Sequence, residues 1–155
     1  MIGLNTKAAQ PLSKSQGFTL IELMVTIAVL AIIVGMAAPS VSTQLANQRT
    51  KSTAATLENA LKEARAESMI QRQNITVAAD ASGNITIKDA ANHEIRSYKI
   101  NAKNSVTASS VIFEPTKRVT AAVTYTICDQ NKSADARQII VNKLGNITSQ
   151  LGGSC

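Results

Sequence analysis

The chain has 155 residues, 45% hydrophobic but only 3% aromatic, with no Trp, two Phe, two Tyr, one His and two Cys. Such a chain affords one domain with an aliphatic, alanine-rich core, and it nearly excludes aromatic platforms for single-stranded nucleic acid, histidine-based catalysis and multi-ligand zinc sites. The formal net charge of +6 leaves room only for a weak attraction to polyanions.

Residues 1–17 are short and polar, with Lys7 and Lys14 and no acid. Residues 18–38, FTLIELMVTIAVLAIIVGMAA, carry a single charge, Glu22. As a helix this stretch covers roughly 30 Å, the hydrocarbon thickness of a bilayer. The flanking lysines place the N-terminal end in the cytoplasm, so the chain beyond Pro39 is expected to be exported. Met36-Ala37-Ala38 imitates a small-residue cleavage site, and a secretory signal peptide is the less favoured alternative. A carboxylate inside an apolar helix costs about 2.5–3.5 kcal/mol on insertion scales, which marks Glu22 as a functional candidate. No Lys or Arg occurs between Phe18 and Gln48, so a cationic partner must come from outside this helix.

Helix formers continue through residues 39–73. Apolar residues fall at Val41, Leu45, Leu57, Leu61, Ala64 and Ile70; Leu57, Leu61 and Ala64 share one face, with Glu58, Lys62, Glu63, Arg65 and Glu67 between them. An amphipathic helix therefore extends the membrane helix, with Gly35 and Pro39 as the points where it would bend or open. A continuous helix over 18–73 would reach roughly 84 Å, more than a compact domain of this size can cover. Half of the rod must find its partners elsewhere.

After Asn74 the period changes to alternation. Residues 75–79 and 85–89 flank an Asp80–Asn84 turn as a hairpin, and further strands are expected at 94–100, 110–114, 118–128, 137–143 and 146–150. Three Asn-Ile-Thr trios, at Asn74, Asn84 and Asn146, read as turn Asn followed by β-branched strand residues rather than glycosylation sites. Cys128 and the terminal Cys155 form an even pair which, in an oxidising compartment, reads as one disulfide pinning the tail. His93, in Asn92-His93-Glu94, is expected at the surface and not at a metal, and the loop 129–135 is expected to be solvated.

Lys14-Ser15-Gln16-Gly17-Phe18-Thr19-Leu20-Ile21-Glu22-Leu23 resembles the class III signal of type IV pilins and type II secretion pseudopilins: a basic leader, Gly, then Phe opening an apolar helix with Glu as its fifth mature residue. The layout of 40–155 is similar to minor pilins of the FimU and FimT kind and to H-type pseudopilins. The resemblance implies an α+β pilin fold, a long N-terminal helix packed on an antiparallel β-sheet domain. It implies a leader, 1–17, cut after Gly17 by prepilin peptidase, N-methylation of Phe18, a transmembrane and filament-core helix, 18–38, its amphipathic continuation, 39–73, and a β domain, 74–155, with the disulfide. Glu22 would pair with the Phe18 amine of a neighbouring subunit and set the axial register. Without Lys7 and Lys14 the net charge falls from +6 to +4.

The function implied is a non-enzymatic minor pilin of the tip or priming complex of a type IV pilus, without cofactor or metal. Its expected partners are other minor pilins, the major pilin, prepilin peptidase, the inner-membrane assembly platform and, before assembly, membrane lipid. It would sit in the inner membrane as a single-pass protein with a cytoplasmic N-terminus and periplasmic C-terminal domain, then in the pilus at the cell surface. An H-type pseudopilin of type II secretion is the first alternative. The second is a DNA-binding pilin; that resemblance calls for Gly-Arg-x-Arg where this chain has Gly145-Asn146-Ile147-Thr148. Lys132, Arg137 and Lys143 remain as weak DNA-contact candidates, with Arg137 and Lys143 on one strand side, and a solvated face is the favoured explanation.

Overall fold

The computed structural model describes residues 17–80, 83–107, 110–132 and 134–155, with nothing described for the side chains of 37–39. Leader residues 1–16, including Lys7 and Lys14, and the turn residues Ala81 and Ser82 lie outside the described residues. Helix α1 spans Leu20–Gln71, and eight strands follow: β1 Ile75–Ala79, β2 Asn84–Lys88, β3 Glu94–Lys99, β4 Asn104–Thr107, β5 Val111–Phe113, β6 Val123–Asp129, β7 Arg137–Val141 and β8 Ile147–Leu151. The chain divides into two compact units between Ala38 and Pro39, so that α1 belongs to both. No single helix among the described residues is long and apolar enough to cross a membrane, but the pieces Leu20–Met36 and Ser40–Gln71 meet that test of length and composition together.

In the unit that starts at Pro39, the helix buries Ala46, Thr50, Thr53, Ala54, Leu57, Ala60, Leu61, Ala64 and Ser68. Their three- and four-residue spacing makes one stripe, and its small side chains let strands approach closely. The expected Leu57, Leu61 and Ala64 face is thus the core face, while Val41, Leu45 and Ile70 remain exposed. Arg72, with φ 53, ends the helix two residues before the expected limit of 73.

The strands form two antiparallel four-stranded sheets, β3-β2-β1-β5 and β4-β6-β7-β8. A flat eight-stranded sheet would span roughly 34 Å at the usual strand spacing, well beyond a helix about 10 Å wide. Two short sheets instead converge on one helical face. Ile75, Val77, Ile85, Ile87, Val111 and Phe113 from the first sheet meet Val106, Tyr125, Ile127, Ile139 and Val141 from the second around the helical stripe. The core is aliphatic and alanine-rich as composition demands, and it takes in two of the four aromatics.

The first hairpin closes where its residues announce it. Asp80 N–H donates to the Asn84 carbonyl (3.0 Å), Asn84 N–H to Asp80 Oδ1 (2.8 Å), and Gly83 takes a φ of 81. Two strand expectations need correction. β4, absent from the strands expected above, is a strand because Asn104 and Val106 turn inward and the Asn104 amide donates to Thr53 Oγ1 on the helix at 2.9 Å. The strand expected over 118–128 begins only at Val123: Val119 bridges to Phe113 of the other sheet, and its N–H donates to the Lys143 carbonyl, which draws 118–122 out of the ladder.

Candidate functional site

The apolar half of α1 exposes the side chains of nearly every large residue it carries: Leu20, Ile21, Leu23, Met24, Val25, Ile27, Val29, Leu30, Ile32, Ile33, Val34 and Met36 are each at least half exposed. Apolar surface on all sides of a helix is the signature of a segment whose solvent is lipid or other helices. Its start is built locally. Thr19 is the N-cap: its Oγ1 accepts from the Glu22 backbone N–H at 3.2 Å, and its carbonyl accepts from Leu23 N–H at 3.2 Å. Thr-x-x-Glu is also the spacing of a capping box, and Glu22 lies in the first turn, where helix dipoles favour a carboxylate. The capping role of Thr19 was readable in the sequence from that spacing.

Gly17 and Phe18 lie ahead of the helix and are exposed. A Cβ at Gly35 would meet nothing within 4 Å.

At the other end of the chain Cys128 and Cys155 are disulfide-bonded, with Cα atoms 5.8 Å apart. Cys128 lies on β6 beside β4, and the tail reaches it from β8 by crossing β7. Gly152 N–H donates to the Ala136 carbonyl at 2.9 Å, and a Cβ at Gly153 would fall 2.8 Å from Thr126 Cγ2. Only glycine lets the strap lie that close to the sheet.

The DNA-contact candidates do not form a cluster. Arg137, half-buried, pairs with Ile127 and Leu151 at one end of the second sheet, and Lys132 is exposed beyond that same end. Lys143 follows β7 at the opposite end. The helix gives the scale: Arg49 bonds Asp129 at the first end and Arg65 borders Gly145 at the second, roughly 24 Å apart along α1. The strand side shared by Arg137, Ile139 and Val141 faces the core, so it is not the solvated face expected. In the loop 129–135, Gln130, Asn131, Lys132 and Asp135 are exposed as expected, and Asp129 is the departure. Asp129 is buried and faces Arg49 Nη2 at 3.7 Å, and Asp135 N–H donates to Asn47 Oδ1 at 3.0 Å; Ser133 is outside the described residues.

These polar links went unseen in the sequence. Further along the helix, Glu63 accepts from the Tyr98 hydroxyl and from Arg96 Nε (2.9 Å), and Ser68 Oγ donates to the Glu114 carbonyl at 3.2 Å. The Glu63 hydrogen bond, with burial, raises the Tyr98 pKa. A spacing argument has no access to such pairs, because their partners are tens of residues apart. The cleft lined by Arg49, Ser52, Thr53, Thr56, Lys99 and Asn101 contains no carboxylate, His or Cys. His93 is exposed in its turn, its Nδ1 3.3 Å from Asp89 Oδ2; the His93 backbone N–H bonds the same carboxylate and holds its pKa low. Among the described residues no group of His, Cys, Asp and Glu could hold a metal.

The model of the prokaryotic N-terminal methylation motif matches residues 12–38, and that of the type II transport protein GspH matches residues 53–145, more than half of the chain. The chain belongs to the GspH family. It is a type IV pilin or pseudopilin, and proteins of this kind are structural and non-enzymatic. Of solved structures, the type IV minor pilin FimU of Pseudomonas aeruginosa is similar to this GspH-family chain, with a TM-score of 0.59 and 20% identity over 68% of this chain and 98% of that one. The minor pseudopilin EpsH from the type 2 secretion system of Vibrio cholerae aligns with a TM-score of 0.58 and 12% identity over 68% and 99%. At such identities the likeness is one of fold. No curated protein matches the chain significantly. The methylation motif implies processing by a prepilin peptidase, and its hydrophobic helix implies inner-membrane anchoring before assembly with other pilins.

Proposed function

We propose that this GspH-family chain is a minor pilin of the tip or priming complex of a type IV pilus. The observation that carries the reading is the contrast along α1: an apolar half exposed on every side, and a second half whose one buried stripe is covered by two sheets. Such a helix has no use for its first half in a monomer in water. Lipid serves it before assembly, and the helices of other subunits serve it afterwards.

In this reading the leader is removed after Gly17 on the cytoplasmic side, Phe18 becomes the methylated N-terminus, and 39–155 lies in the periplasm. Glu22 then pairs with the cationic amine of the subunit packed against it. Of the two roles open to Glu22, dipole partner and register partner, only the second needs its burial, because a helix start in water is already served by Thr19. A pseudopilin of the H type is the second reading, favoured by the family model over residues 53–145. Both share anchor, cut site and Glu22.

The deciding experiment places a photo-crosslinker at Leu30 of the full chain in its native host and identifies the linked proteins by mass spectrometry. Type IV pilins are the expected products. Secretion pseudopilins would establish the second reading instead, and lipid alone, under conditions where filaments form, would overturn both.

A further inference from the structure

Four cations that lie far apart in the chain meet at one end of the β domain. The Glu114–Lys117 turn is closed by a bond from Lys117 N–H to the Glu114 carbonyl (3.0 Å) and is tied to the helix by Ser68. The β7–β8 turn packs directly on it: a Cβ at Gly145 would lie 2.0 Å from the Lys117 carbonyl oxygen and 3.6 Å from Arg65 Nε. Val119 N–H donates to the Lys143 carbonyl at 3.2 Å, so Arg118 and Lys143 are brought alongside. Lys117, Arg118 and Lys143 are exposed, Arg65 is half-buried, and none of the four is in an ion pair among the described residues. Elsewhere Arg49, Lys62 and Arg96 are paired with Asp129, Glu58 and Glu63. One acid, Glu114, adjoins the cluster, which therefore holds most of the net charge left after the leader lysines are set aside.

We propose that this end, with Arg65, Lys117, Arg118 and Lys143 around the exposed Leu144, docks the acidic surface of a partner protein. Three observations point to that occupant. Lys117 holds a φ of 70, where Gly would cost less, so the position supplies a side chain at the expense of backbone strain. Leu144, 62% exposed, stands among the charges as an apolar centre with a cationic rim, the anatomy of a protein interface. No aromatic residue is present in the cluster to stack on a base, as single-stranded nucleic acid would ask. The rigid seating of both turns on the helix fixes the charges before the partner arrives, which reduces the entropy lost on binding. The inference rests on the reading of the chain as an assembly subunit, but its test requires no filament, so the two fail separately.

The full chain in detergent micelles is titrated with poly-glutamate, with a glutamate–tyrosine copolymer, with duplex DNA and with anionic vesicles, at several salt concentrations. The copolymer is expected to bind best, with an affinity that falls as salt rises. The triple variant K117G/R118Q/K143Q is expected to lose about tenfold or more in copolymer affinity, on the scale of one removed charge-pair energy or more, while thermal stability holds because Gly relieves the strain at 117. The matched variant K51Q/K99Q/K103Q, which removes three exposed lysines elsewhere, is expected to stay within about twofold. Leu144→Ser should erase the advantage of the copolymer over poly-glutamate. Equal losses in the two triple variants would overturn the proposal, and so would DNA or vesicles bound more tightly than the copolymer through the same residues.

Discussion

Gly145 shows how much one residue without a side chain can decide. It is buried with a φ of 73, and any Cβ would collide with the Lys117 carbonyl. Gly145→Ala is expected to lower stability by about 2 kcal/mol or more, from the left-handed backbone and the displaced turn together, as read by chemical denaturation. Tyr125 is the opposite case, a residue with one group too many. Its ring fills the core, but its hydroxyl is buried without a hydrogen-bond partner among the described residues, and burial alone pushes its pKa well above the ordinary value of 10. Because the folded pKa of Tyr125 is raised, its contribution is fully present below about pH 10 and is lost as pH climbs past the unfolded value toward the folded one. Tyr98, raised by its bond to Glu63, adds to the same alkaline loss. Tyr125→Phe is expected to leave stability at pH 7 unchanged or higher, since it removes an unsatisfied buried hydroxyl, and to reduce the decline between pH 10 and 12 measured by thermal unfolding.

At the scale of elements, α1 is one helix with two environments. Leu61 is fully buried and Leu45 is 55% exposed, although a helical pattern treats them alike. Leu61→Ala is expected to cost about 2–5 kcal/mol, while Leu45→Ala stays within about 0.5 kcal/mol; urea melts of the two variants check the contrast. The last strand depends on the covalent tie behind it. β8 is an edge strand bonded only to β7, and the tail after it is held by Gly152, Gly153 and the disulfide. Cys155→Ser is expected to cost about 2–4 kcal/mol. It should also open the tail to carboxypeptidase, whereas the oxidised protein resists digestion; digestion at equal rates would remove the strap's role.

For the whole molecule, the decisive quantity is how a helix that is unsatisfied alone becomes satisfied in company. Thr19 caps α1 through the Glu22 backbone N–H, which Glu22→Ala retains, so that variant separates the carboxylate from the helix start. Glu22→Ala is expected to insert and to be processed after Gly17 yet fail to enter filaments, by immunoblot of sheared surface fractions against membranes. Normal incorporation would deny Glu22 the register role. The apolar run 18–38, its lone carboxylate, the change of period after Asn74 and the even pair of cysteines were legible because each is a local pattern, and a helix, a membrane segment or a hairpin is selected by local patterns. They determined the α+β class, the anchor, the core stripe of Leu57, Leu61 and Ala64, and the end-pinning disulfide. The division into two sheets, the inward turn of Asn104, the burial of Asp129 against Arg49 and the gathering of Arg65, Lys117, Arg118 and Lys143 were decided by the tertiary structure alone. Each of these depends on residues brought together from distant parts of the chain, and no periodicity within a segment encodes which distant segment will pack against it.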